Sequence, residues 1–211
     1  MIFIGQYDSP FVRRVAIAMR RYGLAWEHRP WSVGGNAEEI AAFNPLRRVP
    51  VLVLDSGECL VESSAILDYL DELVGPERAL LPRSGPARRA GLRVCALATG
   101  LADKAVSLVY ERALRAGHES PVWVARCKTQ IEGALAFLEK ERAASPGEWW
   151  LKEGFSHADI AVGCALTFLA QAHPDLFVAD QRPALAAHVQ RCEALAEFRE
   201  INQPLIVSMK K

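Results

Sequence analysis

In the first eighty residues, short apolar runs alternate with segments in which an apolar residue recurs every three or four positions. The runs are typical of strands and the periodic segments of helices. They predict strands at residues 2–4, 25–31, 51–54 and 59–61, and helices at residues 10–22, 37–43 and 63–73. This βαβ–ββα order favours parallel pairing in its first half and antiparallel pairing in its second, so we expect a four-stranded mixed sheet with three helices.

After residue 86 the strand pattern disappears and long helical periods follow. Pro82, Gly85 and Pro86 mark a linker between the two kinds of sequence. Helices are predicted at residues 87–116 and 120–142, and two more begin at Ser156 and after Pro183. We therefore predict two domains, an α/β domain at residues 1–80 and an all-helical domain at residues 86–211.

Composition and charge exclude several classes of protein. Of the 211 residues, 51% are hydrophobic, which is too many for a disordered chain. The 25 basic residues balance 25 acidic ones, whereas a nucleic-acid-binding protein usually has a concentrated basic excess. No apolar run is long enough for a membrane span, and the first residues do not form a secretory signal. From the charge balance and the short apolar runs we expect neither nucleic acid nor membrane as a partner.

The five cysteines include no CxxC pair. We therefore expect free thiols and a cytoplasmic protein.

Two sequence patterns near the predicted strand ends are candidates for chemistry. Ser9 precedes Pro10 at the predicted start of the first helix, where unpaired N–H groups and the helix dipole favour an anion. The simpler interpretation is that Ser9 only caps the helix. Val49-Pro50 precedes the third strand, where a proline is found at a sheet edge or, less often, in a tight turn with a cis bond.

Glu62-Ser63 repeats the pattern of the first helix, because a strand is followed by an acidic residue and then by a predicted serine N-cap. Such a serine binds a carboxylate through its hydroxyl and N–H groups, and the neighbouring glutamate pairs with an ammonium group. Together the two residues suit the zwitterionic head of an amino acid, although each alone is an ordinary helix start.

Other patterns favour a structural role. Ser156 and Asp159 have the spacing of a capping box at a helix start. The five histidines lack metal-ligand spacing, so no metal site is expected. Gly34-Gly35 is not followed by the lysine and hydroxyl residue of a phosphate-binding loop, so it predicts only a turn.

In order and spacing, four segments resemble those of the cytosolic glutathione S-transferases, and the resemblance covers essentially the whole chain. The segments are SPFVRRV at residues 9–15, NPLRRVPVL at 44–52, ESSAI at 62–66 and FSHADIA at 155–161. The resemblance implies a thioredoxin-like N-terminal domain that binds glutathione, followed by a helical-bundle C-terminal domain that shapes the pocket for the acceptor substrate. It also implies a homodimer.

The resemblance further implies which residues bind glutathione. A cis bond between Val49 and Pro50 would expose the N–H and C=O groups of Val49. These groups would pair with the backbone of the cysteinyl residue. Glu62 and Ser63 would hold the γ-glutamyl head. A basic residue near the same loop would face the glycyl carboxylate, and the sequence does not distinguish between the two candidates, Arg47 and Arg48.

Ser9 would act on the sulfur itself by donating a hydrogen bond to the glutathione thiolate. Tyr7 is a competing donor, because some classes of the family use a tyrosine near the end of the first strand. Candidates for the acceptor pocket are Tyr7, Phe11, Val106 and Tyr110.

A serine in the first helix separates two chemistries in the family that the chain resembles. Members with cysteine there favour thiol transfer through mixed disulfides, whereas members with serine stabilise the thiolate. We therefore expect a transferase that conjugates glutathione to small, mostly apolar electrophiles, with glutathione as cosubstrate and no metal or organic cofactor. Two alternatives stay open: a glutathione-dependent isomerase or dehalogenase on the same fold, and a non-catalytic interaction protein.

Overall fold

The computed structural model describes residues 1–145 and 147–206 of the chain. It divides into two compact units, one formed by Met1–Arg83 together with the segment that begins at Ala196, the other by Ser84–Leu195. The change of unit after Arg83 lies within the predicted linker. The return of the C-terminal segment to the first unit differs from the predicted division, which assigned that segment to the helical domain.

The first unit contains the predicted four-stranded mixed sheet. Its strands are β1 (Ile2–Ile4), β2 (Glu27–Arg29), β3 (Val51–Val53) and β4 (Cys59–Val61), and their order across the sheet is β2-β1-β3-β4. β1 pairs in parallel with β2, while β1 with β3 and β3 with β4 pair antiparallel. Side chains of Ile4, Val51, Val53 and Ile40 form an apolar cluster on the sheet.

The register of the sheet brings the ends of three strands to one edge. Ile4 at the end of β1 lies opposite Val51 at the start of β3, and Val51 lies opposite Val61 at the end of β4. The segments directly outside these ends are residues 5–9, 49–50 and 62–63. The sheet therefore gathers the candidate residues that are far apart in sequence.

The described residues also form eight α-helices and one 3-10 helix, Ala179–Gln181. The α-helices are α1 (Pro10–Arg21), α2 (Ala37–Ala41), α3 (Ser63–Val74), α4 (Gly85–Leu114), α5 (Pro121–Ala144), α6 (His157–Ala172), α7 (Pro183–Glu193) and α8 (Ala196–Glu200). α4 begins two residues earlier than predicted, because Pro86 lies in its first turn, where the missing N–H costs nothing. α1 ends as its sequence predicts, with Gly23 at a φ of +68° and the Leu24 N–H donating to the Met19 carbonyl at 3.1 Å.

Arginines of α1 hold α8 within the first unit. The buried guanidinium of Arg13 donates to the carbonyls of Ile201 and Phe198 at 2.8 and 2.9 Å, and it lies over the Phe198 ring. On the surface, Arg20 pairs with Glu200, and Arg21 pairs with Glu197. The sequence did not indicate this contact, since nothing in the local pattern distinguishes α8 from the helices before it.

In the second unit, α4 and α7 pack against α6. Nearly all of α6 from His157 to Leu169 is buried, as expected of a helix with little polar surface. The predicted capping box at its start is confirmed, because the Ser156 hydroxyl and the Asp159 carboxylate each accept from backbone N–H groups of the first turn. Within the described ranges, no helix is long and apolar enough to cross a membrane.

Candidate active site

Gly5 allows the first turn of α1 to lie close to the Val49 segment. A side chain at Gly5 would place its Cβ 2.5 Å from Val12 Cγ2 and 3.0 Å from Val49 Cβ, and the residue has a φ of +136°. Both the close contacts and the backbone angle require glycine. The end of β1, the start of α1 and the residue before Pro50 are therefore packed together at one edge of the sheet.

Ser9 is the N-cap of α1, as predicted. It has extended backbone angles, and its Oγ accepts a hydrogen bond from the Val12 N–H at 3.4 Å. A hydroxyl has one donor and two acceptor positions, so capping leaves the Ser9 O–H available to donate. The two interpretations of Ser9, as a cap and as a donor, are thus compatible.

Tyr7 lies toward β2, on the other side of β1 from β3. Its ring stacks on His28 with centroids 4.1 Å apart and an interplanar angle of 4°. Burial raises the pKa of Tyr7, and a hydrogen bond with the Trp26 side chain partly opposes that effect. These contacts engage the phenol on the β2 side of the sheet and favour Ser9 over Tyr7 as the donor to a bound sulfur.

The C-terminal segment contacts the loop that precedes Ser9. Gln203 Oε1 accepts from the Tyr7 N–H, and Asp8 Oδ2 accepts from the Ile206 N–H, each at 3.2 Å. Burial raises the pKa of the Asp8 carboxyl. No signal in the sequence pointed to these contacts, because nearly the whole chain separates the partners.

The loop that carries the two candidate arginines is held by the buried side chain of Asn44. Its Nδ2 donates to the Arg48 carbonyl at 2.8 Å, and its Oδ1 accepts from the Leu46 N–H at 3.0 Å. The bond from Val49 to Pro50 at the end of this loop is cis, as the resemblance implies. The sequence pattern did not indicate this role of Asn44.

Arg47 and Arg48 have different partners on the surface. Arg47, with a φ of 54°, makes a two-pronged pair with Glu38 at 2.7 and 3.1 Å. Arg48 Nη1 lies 3.9 Å from Glu62 Oε1. Exposed ion pairs of this kind contribute about 0–1 kcal/mol to stability. An incoming carboxylate can therefore replace Glu38 on Arg47, or Glu62 on Arg48, at little cost.

At the start of α3 the N-cap is Glu62, so the prediction that Ser63 is the cap is wrong. Glu62 has a φ of 70°, a conformation that costs a non-glycine residue roughly 1–3 kcal/mol, and its side chain makes no capping hydrogen bond in the described structure. Ser63 is already helical and buried, and its Oγ accepts from Arg14 Nη1 at 3.3 Å. Among the described residues, no side-chain hydrogen bond caps the first N–H groups of α3.

The remaining candidates for the acceptor pocket lie in different units. Phe11 is half-buried in the first turn of α1, while Val106 and Tyr110 share one face of α4, where Tyr110 is 37% exposed. Their role in an acceptor pocket stays a prediction. In the described residues, no group of three or more His, Cys, Asp or Glu side chains is arranged to hold a metal ion.

Comparison with known proteins identifies the family to which these elements belong. Residues 3–78 match the family model of the glutathione S-transferase N-terminal domain, and residues 121–191 match that of the glutathione S-transferase C-terminal domain. The GST-like protein YibF of Escherichia coli (strain K12) is 32% identical over 178 residues, which span 80% of this chain and 82% of that protein. The chain belongs to the glutathione S-transferase family.

Two further comparisons bear on this glutathione S-transferase. A crystal structure of a glutathione S-transferase from Methylobacterium radiotolerans, in complex with glutathione sulfonate, has a TM-score of 0.91 and 30% identity, and the match covers 100% of this chain and 98% of that one. Maleylacetoacetate isomerase of Pseudomonas aeruginosa is 41% identical over 99 residues, or 44% of this chain and 46% of that enzyme. The predicted fold, a thioredoxin-like domain followed by a helical one, is confirmed.

Proposed function

We propose that this glutathione S-transferase activates the thiol of glutathione with Ser9 and adds the thiolate to small, mostly apolar electrophiles. The observation that supports this most directly is the gathering of three segments at one edge of the sheet. These are the Ser9 helix start, the Val49 segment and the open N-terminus of α3. The family resemblance implies that these three segments bind glutathione.

The start of α3 suits the γ-glutamyl head. Its first-turn N–H groups and the positive end of the helix dipole attract the α-carboxylate, and the Ser63 hydroxyl adds a donor beside them. The Glu62 carboxylate is exposed and would pair with the α-ammonium group. The glycyl carboxylate at the other end of the tripeptide would replace Glu38 on Arg47 or Glu62 on Arg48.

Ser9 then acts on the sulfur. Val49 would hold the cysteinyl backbone as a short antiparallel strand, which brings the sulfur to the packed junction of β1 and α1. A free thiol has a pKa of about 8.5 and is only a few per cent ionised at pH 7. A hydroxyl donor and a helix N-terminus together lower such a pKa by about one to two units, which makes the thiolate roughly tenfold more abundant.

An isomerase is the second candidate, and the identity with maleylacetoacetate isomerase favours it over a dehalogenase. In an isomerase glutathione adds to the substrate and leaves again, so none is consumed. We further infer a homodimer and a cytoplasmic location from the family alone, and both stay predictions.

The function is tested by titrating glutathione into the protein in a calorimeter and then measuring the glutathione consumed per product with a panel of electrophiles. We expect micromolar to millimolar affinity and one glutathione consumed per conjugate. Ser63→Ala should weaken binding by about 1.5–3 kcal/mol, because it removes a hydrogen bond to a charged group. Ser120→Ala, which truncates a serine at the start of α5, is the control and should leave the affinity unchanged.

Each of the other results identifies a different function. Product formed without net loss of glutathione would indicate the isomerase. Absence of glutathione binding would contradict both enzymes and leave an interaction protein on the same fold.

A further inference from the structure

Two neighbouring arginines of α1 are both buried, with 4% of Arg13 and 3% of Arg14 exposed. Successive residues of an α-helix point about 100° apart, so the two guanidinium groups leave α1 in different directions. Arg13 binds carbonyls of the α8 segment, whereas Arg14 reaches the hydroxyl of Ser63 in the first turn of α3. The burial of Arg13 is explained by its role in holding α8, but that role does not explain Arg14.

The contact between Arg14 and Ser63 determines which role the serine oxygen has in this hydrogen bond. An arginine side chain has donors only, so Ser63 Oγ must be the acceptor at 3.3 Å. The hydroxyl hydrogen of Ser63 is consequently free to point to another acceptor. A hydroxyl that accepts from a cation is also polarised and becomes a stronger donor.

We propose that Arg14 is a positioning residue for glutathione: it orients the Ser63 hydroxyl toward the α-carboxylate of the γ-glutamyl head. This inference rests on the proposed function of the α3 start. The guanidinium stays charged at every accessible pH, so it adds a fixed positive charge behind an anion site that the helix dipole already favours. Arg14 acts through Ser63, and its effect is expected on recognition of the carboxylate and not on the thiol.

The test compares two ligands in a calorimeter, glutathione and an analogue in which the γ-glutamyl α-carboxylate is an amide. Wild-type protein should prefer glutathione by roughly ten- to a hundredfold, since the lost hydrogen bonds involve a charged group. Arg14→Met should reduce this preference by about tenfold or more. The pKa of the bound thiol, measured by thiolate absorbance in the folded variant, should stay as in the wild type.

Two further variants separate positioning from stability. Arg13→Met removes an equally buried guanidinium from the same helix, and it should lower the melting temperature without changing the preference between the ligands. The double variant, Arg14→Met with Ser63→Ala, should prefer glutathione over the amide analogue as much as Ser63→Ala alone does. Arg14 acts through the Ser63 hydroxyl, so removing Arg14 has no further effect once that hydroxyl is gone. If Arg14→Met does not fold, Arg14→Lys keeps the charge without the forked geometry and should show an intermediate preference.

The outcomes also distinguish this inference from the proposed function. A folded Arg14→Met or Arg14→Lys variant that keeps the full wild-type preference would overturn the role of Arg14 while leaving the glutathione site intact. Additive losses in the double variant would overturn the coupling through Ser63. Wild-type protein that binds neither ligand would overturn the proposed function itself.

Discussion

Ser9 shows that a hydroxyl can cap a helix and still have its hydrogen available to donate. Its oxygen accepts from the Val12 N–H, which satisfies one of the unpaired donors of the first turn, and its hydrogen remains available. Ser120 has the same arrangement, because it also precedes a proline and accepts from the third residue after it, Trp123, at 3.4 Å. Of these two serines, only Ser9 lies at the sheet edge that carries the candidate site. Ser120 is therefore a control for the capping effect alone.

Ser9→Ala should therefore have two effects. The pKa of the thiol in the complex with glutathione should rise and kcat should fall, while glutathione affinity stays nearly constant, because a transition-state interaction is lost. The free energy of unfolding should also fall by about 0.5–2 kcal/mol through loss of the cap. Thiolate absorbance against pH and chemical unfolding measure the two effects.

Ser120→Ala is the matched control for this pair of measurements. It should reproduce the loss of stability but leave the thiol titration unchanged. An unmoved titration in Ser9→Ala would restrict Ser9 to capping and make Tyr7 the next donor to test.

Some helices in the described chain begin at a side-chain cap and others do not. α1, α5 and α6 begin at serines whose side chains accept from their own first turns. α3 begins instead at Glu62, whose positive φ turns the chain into the helix without a side-chain cap. In the described residues, the N-cap side chains of α2, α4 and α7 also make no capping hydrogen bond, but α3 is the one of these helices that begins at the sheet edge that carries Ser9 and Val49.

Asp159 holds the start of α6 through several buried hydrogen bonds. Its Oδ1 accepts from the Trp150 N–H, and its Oδ2 accepts from the N–H and hydroxyl of Ser156, all at 2.8 Å. Asp159→Ala leaves two buried backbone donors without a partner, at about 1–3 kcal/mol each. We expect the free energy of unfolding to fall by about 2–6 kcal/mol on this basis, with a smaller loss in Asp159→Asn. Loss of activity in a variant of unchanged stability would instead indicate a catalytic role.

At the scale of the whole molecule, buried polar contacts link elements that are far apart in the chain. In the first unit the Tyr22 hydroxyl donates to Asp71 and accepts from the Leu80 N–H at 3.0 Å, which fixes the end of α1 to α3 and to the segment after it. Burial, together with the neighbouring Asp71 carboxylate, raises the pKa of Tyr22. In the second unit His188 is fully buried beside Asp159 and Cys192.

His188 makes the stability of the protein depend on pH. Burial, with the Arg142 and Arg191 charges adding to it, lowers the pKa of His188 from 6.5 to about 3. Between these values the unfolded chain binds a proton that the folded chain does not, so stability falls as the pH decreases from 6.5 toward 3. The slope from this residue is at most about 1.4 kcal/mol per pH unit. Burial raises the pKa of Asp159, which acts in the opposite direction because the folded chain takes up that proton first.

Chemical unfolding at pH values from 4 to 7 measures this dependence. The free energy of unfolding of His188→Gln should change less with pH than that of the wild type, because the glutamine side chain does not titrate. His118→Gln, which replaces an exposed histidine in the loop before α5, is the matched control variant. If the free energy of unfolding has the same slope against pH in the wild type and in His188→Gln, His188 is not the source of the pH dependence.

The sequence by itself determined the features that depend on neighbours a few residues away. The serine-proline starts of α1 and α5, the end of α1 at Gly23 and the capping box of α6 all involve partners within about five positions along the chain. Such contacts form from local backbone geometry, so a short pattern is enough to predict them. The family motifs in turn identified Val49, Glu62 and Ser63 as candidates before any geometry was known.

Only the tertiary structure decided which of these local elements meet. The sheet register brings the Ser9, Val49 and Glu62 segments to one edge, and burial places Arg14 behind Ser63 although 49 positions separate them. The bond from Arg13 to the Ile201 carbonyl spans 188 positions and returns α8 to the first unit. An arginine in an amphipathic helix has the same local pattern whether it is solvated or buried. Its partner is set by the packing of the elements around it, and that packing is a property of the whole chain.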